Sequence, residues 1–209
     1  MSHFDEAAAT WDQEPARVRR MREVGQAIVR EAAPTREMTV LDYGSGTGLV
    51  GLYLLPHVHS VVGADNSPGM LEVLRKKIAE GHLHAMRAVR LDLQVDPVPD
   101  DRYHMVVISM ALHHIADVDR TLRGCHQMLR PGGILCVADL DSEPGTFHPT
   151  AVAGSVHHLG FDRKELKGRL ESIGFIDARD ATVSTFSKPV EKDGEQTFLI
   201  FLVTARRRV

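Results

Sequence analysis

Short apolar runs that end in an acid or a serine recur along the chain, each followed by apolar positions spaced for one face of a helix. Val40-Leu41, Ser60 to Asn66, Tyr103 to Ser109 and Ile134 to Asp139 read as buried strands, because each is a brief apolar run bounded by turn residues. Ala85 to Asp92 predicts a further strand, interrupted by Arg87 and Arg90. Between these runs, Leu49 to Leu55 resumes a helical pattern. Met70, Leu71, Leu74 and Ile78 give the next helix its apolar face, with Ser67 as N-cap and Pro68 in the first turn. Asp117 caps another helix, whose face is Val118, Leu122, Cys125 and Leu129, and Leu129-Arg130-Pro131-Gly132-Gly133 ends it abruptly. Two helices are expected over residues 2–33, the second opening at Pro15 with Val18, Met21, Gly25, Ile28 and Ala32 inward. Pro144, Gly145, Pro149 and Gly154 make 141–160 too irregular for a long element. Beyond it a helix runs from Asp162 to Gly174. The strands Phe175 to Phe186 and Thr197 to Thr204 follow, joined by the hairpin-like Lys192-Asp193-Gly194-Glu195. Alternating strands and helices predict an α/β protein with a parallel, doubly wound sheet.

The first of these strands runs into the stretch around which the chain is organised, Asp42-Tyr43-Gly44-Ser45-Gly46-Thr47-Gly48. Alternating glycines at a strand-to-helix turn allow a tight fold and bring the main chain close to a ligand. The free N–H groups of the new helix then face that ligand. Asp42 adds a negative charge, which suits an ammonium or sulfonium better than a pyrophosphate. Gly46-Thr47-Gly48-Leu49-Val50-Gly51 also satisfies the dinucleotide-binding fingerprint, and Asp65 stands 19 residues beyond Gly46, near the spacing of a ribose-binding acid. An oxidoreductase using NAD therefore stays open at this point.

Asp42-x-Gly44-x-Gly46-x-Gly48 resembles the first motif of the class I, Rossmann-like S-adenosylmethionine-dependent methyltransferases, with Tyr43 and Ser45 in place of the more usual Leu or Val and Cys. Strand, Asp65 and Asn66 resemble the second. The Ala111-Leu112-His113-His114 stretch and the Leu129-to-Gly133 turn are similar to those of the ubiquinone/menaquinone-biosynthesis type, and the likeness covers about 36–140. It implies a seven-stranded, mostly parallel doubly wound sheet with an antiparallel C-terminal strand. It also implies one domain over 1–209: an N-terminal helical cap (1–33), a cofactor-binding core (36–140) and an acceptor side (141–209). S-adenosylmethionine is the implied cofactor and S-adenosylhomocysteine its product. Asp42, Gly44, Ser45, Gly46, Gly48, Asp65, Asn66, Met70, Asp92, Leu93, Ser109 and Trp11 are the implied cofactor residues, with His113 and His114 as candidates toward the acceptor. Phe4-Asp5 to Trp11-Asp12 resembles the family's N-terminal cap. Trp11 covers the cofactor or anchors its helix, and residues 1–14 and 141–160 are expected to cover the cleft. No carboxylate partner for either histidine is evident. Asp139, Asp141 and Glu143, beyond the fifth strand, favour a cationic acceptor or are solvated. A non-catalytic cofactor-binding protein of the same fold is the further alternative.

Composition narrows the partners rather than the chemistry. Net charge is −3, 25% of residues are charged and 5% aromatic, which gives neither an overall attraction to nucleic acid or anionic lipid nor stacking platforms. No run approaches a membrane span. A small-molecule acceptor, no nucleic acid or membrane partner, a monomer or homodimer and a cytoplasmic location are expected. Arg17, Arg20, Arg22 and Arg30 interleave with Glu14, Glu23 and Glu31, as on a solvated face. Cys125 and Cys136 are expected to pack as small apolar groups. The 12 histidines include four close pairs without a cysteine cluster or H-x-x-x-H spacing, so no metal is expected and most are read as solvated turn residues.

Overall fold

In the computed structural model, residues 3–191 and 194–209 are described, with the backbone alone for 151–153; residues 1–2 and the turn residues Lys192 and Asp193 lie outside the description. The strands are β1 (Thr39–Tyr43), β2 (Ser60–Asp65), β3 (Met86–Arg90), β4 (Tyr103–Ser109), β5 (Leu129–Leu140), β6 (Phe175–Val190) and β7 (Gly194–Arg207). The α-helices are α1 (His3–Ala7), α2 (Pro15–Ala32), α3 (Leu49–Leu54), α4 (Pro68–Glu80), α5 (Val118–Met128) and α6 (Arg163–Ile173). All seven strands form one sheet in the order β3-β2-β1-β4-β5-β7-β6. β1 to β5 are mutually parallel, and β7 runs antiparallel to both β5 and β6. This is the mostly parallel, doubly wound sheet expected from the sequence.

Neighbouring residues of the inner strands face opposite sides, so each strand feeds two cores. Val40, Val61, Met105 and Val107 pack with Val24, Ile28 and Leu54 on the side of α2 and α3. Leu41, Val106 and Ile108 pack with Leu122, Cys125, Leu166 and Leu170 on the side of α5 and α6. Burial of both cysteines pushes their thiols up to about 12, in keeping with inert packing groups. Local chemistry sets the helix ends. Ser67 Oγ accepts from Met70 N–H at 3.2 Å to start α4. Asp117 Oδ1 accepts from Arg120 N–H at 2.9 Å to start α5. Asp162 accepts from Lys164 and Glu165 N–H to start α6, and Gly174 closes that helix in a left-handed conformation.

Four boundaries differ from the sequence reading. The first expected helix is a single α-turn continued by a 3₁₀ helix, Ala8–Gln13. β3 stops at Arg90, so Asp92 and Leu93 belong to the turn after it. The Leu129-to-Gly133 turn is part of β5: Leu129 pairs with Tyr103 and Ile134 with Met105, leaving Arg130 to Gly133 as a bulge around the N–H-less Pro131. The two C-terminal strands are longer than the apolar runs that mark them, because pairing continues through Ser187-Lys188-Pro189 opposite Thr197-Gln196-Glu195. Among the described residues no helix is long and apolar enough to cross a membrane.

Candidate active site

The carboxyl ends of β1, β2 and β4 open into a cavity of about 660 Å³. Such ends are where open α/β sheets bind ligands. Its floor is the glycine loop. Gly44 and Gly46 have φ of +70° and +54°, a region that side chains rarely adopt. At Gly44 a Cβ would lie 2.6 Å from Ala111 Cβ, whereas at Gly46 the nearest atom is Met70 Sδ at 3.9 Å, so the main chain there borders open space. Asp65 binds the loop from the neighbouring strand: Gly46 N–H and Ser67 N–H each donate to one of its carboxylate oxygens at 2.8 Å. Burial raises its pKa against those two hydrogen bonds. Asp42, 1% exposed, accepts from Gly51 N–H at 3.0 Å. Burial pushes its pKa up to about 7, and the nearby Asp65 adds to the shift. Ser45 Oγ is buried without a hydrogen-bond partner among the described residues.

Of the other residues singled out in the sequence, Asn66, Met70, Asp92, Ser109 and Trp11 line the same cavity. Asn66 Nδ2 donates to Asp92 Oδ2 at 3.1 Å, which joins the ends of two strands. Trp11 meets Phe4 edge-on at 5.9 Å and carries the Arg17 guanidinium 3.9 Å above its ring. Gly48 and Leu93 are off the wall. Gly48, at φ +84°, precedes α3, where a Cβ would lie 2.4 Å from Leu74 Cδ1 of α4; its role is the close packing of α4 against the start of α3. Leu93 is buried in the core and its N–H donates to Tyr43 Oη at 3.0 Å, so neither its side chain nor its amide is turned to the cavity. Leu91 and Gln94 line the wall on either side of it.

The N-terminal segment covers this floor and is tied to it. Asp5 Oδ1 accepts from Ser67 Oγ–H at 2.6 Å and from Gly69 N–H at 3.1 Å, at the start of α4. Thr47 Oγ1–H donates to Asp12 at 2.7 Å, and Lys77 pairs with the same carboxylate. The sequence placed both acids in the N-terminal cap but not their partners, since an aspartate in a short irregular segment carries no periodic signal. It also misplaced two arginines. Arg17 and Arg20 are half-buried and line the cavity with Glu14, which pairs with both, at 2.6 and 3.1 Å.

Opposite the glycine loop stand the histidines. His113 and His114 lie on a 3₁₀ turn, Leu112–His114, just past β4. His113 is 1% exposed, and its Nδ1 is 2.6 Å from Asp139 Oδ1 at the end of β5. That carboxylate, 0% exposed, also accepts from the N–H groups of Leu112, His113 and Leu140. Burial alone would raise Asp139, but His113 and these N–H groups hold it below the usual range. The absence of a carboxylate partner for the histidines is thus corrected by tertiary structure: 26 residues separate the pair in sequence. His114 Nδ1 meets Ser155 O at 2.6 Å, and burial, with His113 beside it, lowers its pKa to about 4. The 141–160 segment contributes His148, whose Nε2 is 3.0 Å from His113 Nε2; burial and the two neighbouring histidines lower it to about 3. None of the three acids offered for a cationic acceptor lines the cavity. Asp139 is taken by His113, Asp141 is bound in a fork by Arg163, and Glu143 accepts from the N–H groups of 145, 146 and 147.

Comparison with known proteins places the glycine loop and the histidine turn within one matched domain. A family model described as a methyltransferase domain matches residues 40–133. An uncharacterized methyltransferase of Schizosaccharomyces pombe is 34% identical over 154 residues, 68% of this chain and 54% of the relative. A demethylmenaquinone methyltransferase of Thermus thermophilus is 34% identical over 139 residues, 65% of this chain and 59% of the relative. Residues 40–133 form a methyltransferase domain, of the class I S-adenosylmethionine-dependent type. It spans little more than half the length of these two relatives. The fold is also that of Haemonchus contortus phosphoethanolamine N-methyltransferase 2 in complex with S-adenosyl-L-methionine (TM-score 0.72, 13% identity, 100% of this chain and 61% of that one).

The residues that line the cavity fit the cofactor of that family. An open main-chain approach at Gly46, the unpartnered Ser45 hydroxyl and a buried Asp42 that a cation would help to ionise are the features a nucleoside bearing ammonium and sulfonium charges requires. Asp65 accepts from the N–H groups of Gly46 and Ser67, and a carboxylate can accept further hydrogen bonds beside them.

Proposed function

We propose that this methyltransferase moves a methyl group from S-adenosylmethionine to a nucleophilic atom of a small-molecule acceptor that is neutral or anionic. A single observation carries the reading: the glycine floor with Asp65 and the histidine wall with Asp139 open into one cavity of about 660 Å³. That size is in the ordinary range for a small-molecule site. In this reading Asp65 receives the ribose hydroxyls, Asn66 and Asp92 border the base, and Asp42 with the loop amides lies toward the amino-acid end. The bound cofactor supplies an electrophilic methyl on sulfur.

The chain's share is alignment and exclusion of water. Phe4 and Trp11 roof the cavity, and Phe147 closes its far side. Among the described residues that line that end, Arg17, Arg20 and Lys188 stand with Glu14, so the lining carries more positive than negative charge, which disfavours a cationic acceptor. His113, with Nδ1 committed to Asp139, turns Nε2 to His148 Nε2 at 3.0 Å on the wall opposite the glycine loop. The demethylmenaquinone methyltransferase among the relatives directs the first acceptor trials to electron-rich ring compounds.

Calorimetric titration with S-adenosylhomocysteine, S-adenosylmethionine and NAD tests the cofactor side. The first two should bind one per chain and NAD should not. An acceptor screen under turnover, with neutral and anionic phenols and quinols beside amines, tests the rest. Cofactor binding without turnover on any acceptor class would leave a non-catalytic binding protein instead.

A further inference from the structure

The histidine wall has a property that alignment of an acceptor does not require. One nitrogen from each of His113, His114 and His148 lies within 4.8 Å of the other two. Two of the rings have their other nitrogen committed: His113 Nδ1 to the Asp139 carboxylate and His114 Nδ1 to the Ser155 carbonyl. A carbonyl oxygen or a carboxylate can only accept, so each Nδ1 carries the hydrogen and each Nε2 is left with a bare lone pair. Metal-binding histidines are held in this way, by a carboxylate or carbonyl on the far nitrogen that fixes tautomer and ring orientation. We propose that His113, His114 and His148 form a three-imidazole site for a divalent first-row transition metal, zinc by ligand class, with its open position facing the acceptor.

The spacing supports it. Zinc–nitrogen bonds of ~2.0–2.1 Å in tetrahedral geometry place ligand nitrogens about 3.3 Å apart. His113 and His148 stand at 3.0 Å, Nε2 to Nε2. The His114 ring, 4.1 Å from His113 centre to centre, has the adjustment to make. Charge supports it too. Asp139 is wholly buried, and among the described residues its ion-pair partner is His113 alone, with no lysine or arginine. A buried carboxylate is tolerated when positive charge lies within reach. A metal on the far nitrogen of His113 supplies that charge permanently. Imidazole donors suit zinc and its neighbours, and three protein ligands with a fourth position open is the arrangement of a catalytic site.

The role toward the acceptor rests on the methyl-transfer reading, whereas the metal site does not. On ligation the acceptor's hydroxyl or thiol gives up its proton to water. Its lone pair then forms the new bond to the methyl carbon, and the carbon–sulfur pair stays on sulfur, which becomes a neutral thioether. The competing account is a plain hydrogen bond between neutral rings, with His148 Nε2–H donating to the lone pair of His113 Nε2.

The experiment uses the untagged full chain, stripped with chelator and titrated with Zn²⁺, and with Co²⁺ for its visible spectrum. One equivalent per chain should bind, and Co²⁺ should give the intense visible bands of a low-coordinate nitrogen site. Asp139→Asn should weaken binding ~10–100-fold, and His148→Gln, on the covering segment, at least as much. Should Asp139→Asn fail to fold, His114→Gln serves in its place. No uptake by the wild-type chain, or equal uptake by His148→Gln, overturns the site. S-adenosylhomocysteine is titrated in parallel. Its binding without metal overturns the site alone, and metal binding without it overturns the methyl-transfer reading alone.

Discussion

The two walls of the cavity are built on different principles. The glycine wall is local: a glycine loop, a strand-end acid and a helix N-terminus, all within 42–70, with hydrogen bonds from main-chain N–H groups. The histidine wall is assembled from α2, the turn after β4, the 141–160 segment and Lys188 of β6, with Asp139 of β5 behind it. One wall is main chain shaped by glycine and the other is side chains held by side chains. A ligand common to a whole family can be gripped through backbone, which changes little with sequence. An acceptor particular to one protein calls for a surface that side-chain substitution can redraw.

That contrast predicts opposite responses to mutation. The largest effect is expected at Gly46. A valine there, forced to φ +54° with its branches turned into the cavity, should lower S-adenosylhomocysteine affinity beyond the ~100-fold that a lost charged hydrogen bond explains. Thermal unfolding should change less than binding, and equal loss of both would erase the distinction between floor and core. Asp139→Ala should do the reverse. It strands a buried imidazole and three N–H groups, and should cost about 3–5 kcal/mol of folding stability by denaturant titration. Whatever remains folded should still bind S-adenosylhomocysteine. Because the carboxyl is held below its unfolded pKa, its contribution is present above that value and is lost as pH falls through the folded one, so the variant's deficit should shrink in acid.

Asp65→Ala should weaken cofactor binding roughly 10–100-fold while leaving acceptor affinity nearly unchanged, which kinetics at saturating cofactor would check. Asp42 offers a finer test. Its pKa of about 7 lies above the unfolded value, so its contribution to stability is complete below about pH 4 and is lost as pH rises through 7. A cation bound nearby should drive it to ionise. Calorimetry of S-adenosylmethionine in buffers of different ionisation heat should then show proton release near pH 6–7, absent in Asp42→Asn. The smallest effect is expected at Asp12, whose bonds to Thr47 and Lys77 latch the N-terminal segment. Asp12→Ala should speed hydrogen exchange over 3–13 and change cofactor affinity by less than tenfold, as a half-exposed ion pair is worth under ~1 kcal/mol.

Much of the sheet was legible because parallel strands buried on both faces must be short and apolar, and their helices must carry caps and one apolar side. The glycine loop was legible for a related reason: positive φ at alternating residues admits few residues other than glycine. Such demands act on residues close in sequence, and they leave a local trace. His148 leaves none, since a histidine between a phenylalanine and a proline in an irregular segment looks like any turn residue. Nor does Asp139 announce His113, or Arg17 and Arg20 the cavity; the arginines have the spacing of a solvated face and are turned inward by packing of α2 beside β6. Leu93 shows the converse, a residue placed at the site by its sequence position and withdrawn from it by a hydrogen bond to Tyr43, 50 residues away. The sequence by itself determined the sheet and the glycine loop at its carboxyl edge, because backbone geometry restricts residue choice locally. Only the tertiary structure decided what stands opposite that loop, because contacts between distant elements require complementary partners and impose no spacing along the chain.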